Sequence, residues 1–182
     1  MVKERNALFK WEVAGIFWII VVGSLLHFVY DWTDHSILAG LFAPVNESVW
    51  EHLKMGYWSL FFFGVIEYIY FKKKNFSLNG FFLGKALGVA ALEGTILVVF
   101  YTYTAILKSE ILWLDIASYI IGAIICQIVS YKIINREVSK KADVIGFSAF
   151  ILFGIILMIF TFYPPRLPIF RDGLTGRYGP TP

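Results

Sequence analysis

Long apolar runs separated by short polar punctuation make up most of this chain. Five of them are long enough to cross about 30 Å of hydrocarbon at about 1.5 Å per helical residue. They fall at residues 11–30, 46–71, 81–107, 111–134 and 144–162. The last is the cleanest, because residues 144–165 contain no charged side chain. The second has Glu47, Glu51, His52 and Lys54 crowded at its start. It reads as a helix that begins outside the hydrocarbon with Asn46 as N-cap and Glu47 at the positive end of the dipole, then dives in near Lys54. The pattern predicts an all-α integral membrane protein. A five-transmembrane-helix bundle would fill residues 1–162, and an extended tail residues 163–182, whose five prolines and three glycines forbid a sixth helix.

Composition agrees with that pattern. The chain is 58% hydrophobic and only 16% charged, too apolar for an ordinary soluble domain. A net charge of +3 would suggest nucleic acid in a soluble protein, but here the basic residues flank apolar runs, where headgroups and topology account for them. Membrane lipids are therefore the expected partners, and nucleic acid is not. Lys3, Arg5 and Lys10, the Lys72-Lys73-Lys74 loop, and Lys132, Arg136, Lys140 and Lys141 alternate with a lysine- and arginine-free loop at residues 31–45. The bias predicts a cytoplasmic N-terminus and an extracytoplasmic C-terminus. The single cysteine, Cys126, lies in an apolar run and reads as packing.

Several polar residues fall inside the apolar runs. Gly80, Gly84 and Gly88 recur every fourth residue on the third run, a stripe for close helix approach either within the bundle or in a homodimer. Glu67 and Lys85 lie at similar depth on consecutive antiparallel helices, which suits an ion pair, with separate snorkelling as the alternative. Glu93 lies about 18 Å along its helix, too deep to snorkel, and is a candidate ligand-binding carboxyl or a residue fixing helix register.

The densest chemistry gathers at the predicted extracytoplasmic end. All three histidines, His27, His35 and His52, lie there with Asp31, Asp34, Asn46, Glu47, Glu51 and Asp115. His27 and Asp31 share a helix face, whereas Glu51 and His52 are adjacent and diverge by about 100°. The catalytic candidates are His27, Asp31, Glu51 and His52. The candidate metal ligands are His27, Asp31 and Glu51, since imidazole with carboxylate suits zinc or a similar divalent ion. No HExxH or cysteine-pair motif is present. A hydrogen-bonded cap over the helix ends and a small-ligand site are competing readings. Glu47 and Arg166 join Glu93 as candidate ligand-binding residues. The Pro-rich tail is expected to fold back so that Arg166 or Arg171 meets these carboxylates, as a structural lid or as a clamp on an anion such as a lipid phosphate.

Pro44-Val45-Asn46-Glu47-Ser48-Val49-Trp50-Glu51-His52-Leu53-Lys54 and Thr161-Phe162-Tyr163-Pro164-Pro165 resemble a family of small bacterial integral membrane proteins with no assigned function. The resemblance implies a bacterial cytoplasmic membrane and a helical bundle of this size, and carries over no catalytic residue. The functional expectation is a polar site at the extracytoplasmic face that binds or modifies a lipid or small molecule. The alternative is a non-catalytic membrane assembly or partner subunit whose polar residues only cap helix ends.

Overall fold

The computed structural model describes residues 2–134 and 136–180. Thr181 and Pro182 of the expected tail lie outside the described residues, as does the side chain of Lys3. Among the described residues six α-helices follow one another: α1 (Val2–Trp32), α2 (Ile37–Gly40), α3 (Val49–Lys73), α4 (Phe81–Leu107), α5 (Leu112–Ile134) and α6 (Lys140–Phe162). A 3-10 turn, Pro168–Phe170, interrupts the tail. Among the described residues there is no strand, only a single bridge pairing Arg171 with Tyr178.

Four helices are long and apolar enough to cross a membrane: Glu4–Trp32 within α1, then α4, α5 and α6. The belt they expose is oily. Phe17, Val21 and Leu25 on α1, Val98 and Ile106 on α4, and Leu152 and Ile155 on α6 all face outward, an area of apolar surface that a water-soluble bundle rarely leaves uncovered. α3 does not share their hydropathy because it carries Glu51, Lys54 and Glu67, yet all three are buried inside the bundle.

α3 packs against α1, α4 and α6, and α4 is clasped by α5 on one side and α6 on the other. Ile19, Leu53, Tyr57, Leu60, Leu92, Ala123 and Leu157 form the shared core. The glycine stripe on α4 is used within the chain. A Cβ at Gly84 would meet the Ser130 carbonyl at 3.2 Å, and one at Gly88 the Cys126 carbonyl at 2.9 Å, so α4 and α5 approach backbone to backbone; Gly80 faces Val138 beyond α5.

Helix limits differ from expectation in two ways that matter. α1 begins at Val2 rather than near residue 11, so Glu12 sits inside the bundle instead of at its edge. α3 begins at Val49, and its N-cap is Ser48, whose Oγ accepts the Glu51 amide at 3.3 Å. The expected cap, Asn46, lies two residues earlier. Its Oδ1 accepts the Ser48 amide at 2.9 Å and its Nδ2 donates to the Gly179 carbonyl at 2.9 Å. Asn46 therefore ties the tail to the start of α3.

Candidate functional site

The end of the bundle that carries the tail holds two polar assemblies side by side, built by residues 45–54. Glu51 and His52 leave α3 in different directions, and each anchors one of them.

Glu51 turns inward. Its Oε2 lies 2.6 Å from Lys54 Nζ and accepts the Val45 amide at 3.1 Å, while Oε1 accepts the Thr161 hydroxyl at 2.9 Å. Lys54 Nζ also donates to the Gly40 carbonyl at 2.7 Å and to Thr161 Oγ1 at 2.9 Å. Glu51, Lys54 and Thr161 are all buried. A buried ion pair is stable only when its remaining hydrogen-bonding capacity is met, and here α3, α6 and the loop after α2 meet it together. Glu51 has no free lone pair aimed at solvent, so it serves as a latch.

His52 turns the other way. Its Nδ1 donates to the Ser48 carbonyl at 2.9 Å, which fixes the ring and leaves Nε2 facing Glu47 Oε2 at 3.4 Å. His27, from the last turns of α1, brings Nε2 to 3.8 Å from Glu47 Oε1, and the two imidazole centroids are 5.3 Å apart. One ligand atom each from His27, Glu47 and His52 lie within 4.8 Å of one another, the one group of this kind among the described residues. The rings are partly buried and Glu47 is the exposed member. Hydrogen bonding to the His52 imidazole holds the Glu47 carboxyl below the ordinary carboxylate range, against the opposing effect of burial. Two imidazoles and one carboxylate, with the backbone orienting one ring, could hold a divalent transition-metal ion with coordination positions left open.

The remaining expected residues lie elsewhere. Asp31 is exposed and faces His35 at 3.3 Å. The set His27, Asp31 and Glu51 is thus not gathered at one point, and Glu47, a loop residue once α3 starts at Val49, supplies the carboxylate. Asp115 accepts the Tyr103 hydroxyl at 2.7 Å. The tail does fold back, laying Phe170 on Trp50 with centroids 4.7 Å apart, but Arg166 stays exposed and makes no ion pair among the described residues. Glu93 is buried with neither oxygen hydrogen-bonded.

At the opposite end, Lys85 Nζ lies 2.7 Å from Glu67 and 3.1 Å from Glu12, with Ser130 donating to Glu12 at 2.8 Å. The Glu67–Lys85 pair matches the sequence expectation. Glu12, its third member, went unrecognised, although a carboxylate in an otherwise apolar helix was the signal for it.

An all-helical bundle with four helices suited to a membrane and a histidine–carboxylate cluster at one end is the class that fold and site define. The chain belongs to a family of unknown function (DUF6512), which matches residues 1–180. Neither the curated proteins nor the solved structures hold a match to it.

Proposed function

We propose that this is a five-span protein of the bacterial cytoplasmic membrane that holds a divalent transition-metal ion, of the zinc type, through His27, Glu47 and His52 on its extracytoplasmic face. The observation that carries the reading is the convergence of three ligand atoms within 4.8 Å around a ring whose other nitrogen is held by a backbone carbonyl. Three protein ligands leave a coordination position for water or for the oxygen of a lipid headgroup or small molecule, and a zinc-type ion in that setting acts as a Lewis acid. α3 supplies the fifth span: its 25 residues reach about 37 Å, more than the hydrocarbon thickness, and its charges are turned into the bundle while Val65, Ile66 and Ile69 face out. Clustering of Lys72, Lys73, Lys74, Lys140 and Lys141 at the opposite end supports a cytoplasmic N-terminus.

Elemental analysis of purified, chelator-stripped and zinc-reloaded protein tests the site. Close to one ion per chain is expected, falling to background in His27→Ala and His52→Ala and staying unchanged in Asp31→Asn and Arg166→Ala. Equal zinc content in wild type and His52→Ala would sink the metal reading. The second reading, a non-catalytic assembly or partner subunit, rests on the adjoining Glu51–Lys54–Thr161 latch, which is closed and fully partnered.

A further inference from the structure

Between α3, α4, α6 and the 3-10 turn lies a cavity of about 390 Å³, well away from the histidine cluster in its chemistry. It falls in the range of about 300–1,000 Å³ typical of small-molecule sites. Ala86, Ala90 and Gly94, one turn apart along α4, carve it out, and Phe150, Phe153 and Ile169 close it. Gly94 opens onto that space: apart from its chain neighbours and its own helix backbone, a Cβ built there would meet nothing within 4 Å. Ala90 is exposed, so the cavity communicates with the apolar outside of the bundle.

Two polar side chains line this otherwise apolar space. Glu93 is buried with both carboxyl oxygens unpartnered, and the Trp50 indole N–H is buried and unpartnered too. A protein normally satisfies such groups, because each one left alone keeps its desolvation penalty without a compensating hydrogen bond. No cation lines the cavity, and an isolated charge in apolar surroundings is far more costly than a neutral acid. The carboxylic acid and the indole are therefore two hydrogen-bond donors in search of an acceptor.

We propose that this cavity binds an uncharged lipophilic molecule whose oxygen atoms accept hydrogen bonds from Glu93 and Trp50, each side chain turning from its buried position toward the ligand, while the hydrocarbon part lies along Ala86, Ala90 and Gly94. Quinones and acyl esters share that chemistry, and both are soluble in the membrane from which the cavity opens. The ligand enters sideways from the bilayer and needs no metal at the histidine cluster.

The test uses the full-length protein in lipid nanodiscs, titrated separately with a benzoquinone bearing a ten-carbon tail and with monoolein, and read by calorimetry and infrared difference spectroscopy. Saturable binding of one probe is expected, with a shift of a protonated-carboxyl band that vanishes in Glu93→Gln. Gly94→Leu, which fills the open space and keeps the Glu93 carboxyl, should weaken binding at least tenfold. Response to the quinone alone assigns a redox lipid, and response to monoolein alone an acyl ester. The proposal is overturned if neither probe saturates, or if Gly94→Leu binds within twofold of wild type. Glu93→Leu removes an unpartnered polar group and should melt no lower than wild type, so loss of binding there is not loss of fold.

Discussion

Glu51 and Lys54, three residues apart on α3, meet at 2.6 Å with both charged groups sealed from solvent. The pair joins α3 to α6 through Thr161, to the last residue of α2 through Gly40 and to the following loop through Val45. Removing one partner leaves the other charge buried and alone, which costs about 3–5 kcal/mol, whereas replacing both with apolar residues can be nearly neutral. Lys54→Met and Glu51→Leu should each lower the melting temperature in detergent sharply, and the double variant should recover most of the loss. A double variant as unstable as the worse single one would show that the latch is not an ion pair in energetic terms.

Lys85 answers two carboxylates at once, Glu67 at 2.7 Å and Glu12 at 3.1 Å. Its replacement by Met strands two like charges together and should cost more than about 3–5 kcal/mol. Glu12→Gln keeps a hydrogen-bond acceptor for Ser130 and leaves Lys85 with one counter-charge, so it should be tolerated within about 1 kcal/mol. Thermal unfolding of the two variants checks the order. Equal losses would mean that Glu12 carries as much of the assembly as Lys85.

The contrast between Glu67 and Glu12 shows where sequence reasoning reached and where it stopped. Matching depth on consecutive antiparallel helices is enough to pair Glu67 with Lys85. Placing Glu12 requires the true start of α1, and a helix end moved by nine residues shifts the depth of everything near it by about 13 Å. The histidine cluster has the same history. Helical periodicity separates Glu51 from His52 but cannot say that Ser48 rather than Asn46 caps α3, and that choice makes Glu47 a loop residue free to swing between His27 and His52. The burial of Glu93 is legible from its depth, whereas its lack of a partner and the cavity beside it depend on the courses of α3, α6 and the tail.

Asp172 gives the tail a pH dependence of definite sign. Burial acts to raise its pKa, but the Thr175 hydroxyl and the Leu174 amide at 2.9 Å donate to the carboxylate and hold it below the ordinary 3.8. Since the folded value is depressed, the stabilisation is complete above the unfolded value and is lost as pH falls through the folded one. The protection factor for hydrogen exchange at Leu174 should stay high at pH 5 and fall below pH about 3.8. Asp172→Ala should lose that protection at both. Fast exchange at pH 5 in the wild type would refute the capping role.

Gly146 and Gly64 make opposite predictions from the same substitution. A Cβ at Gly146 would run into the Cα of Leu83 and lie 2.6 Å from its amide nitrogen, both backbone atoms that no rotamer change can move, whereas a Cβ at Gly64 meets nothing within 4 Å beyond its own helix backbone and chain neighbours. Alanine favours a helix over glycine by about 1 kcal/mol, so Gly64→Ala should raise the melting temperature. Gly146→Ala gains the same helix preference but must push α6 away from the start of α4, where Asp143 Oδ1 accepts the Leu83 amide at 3.0 Å. It should therefore be destabilised by about 1–3 kcal/mol, the usual cost of overpacking. If both variants shift in the same direction by similar amounts, the close contact between α4 and α6 at Leu83 is not present in the folded protein.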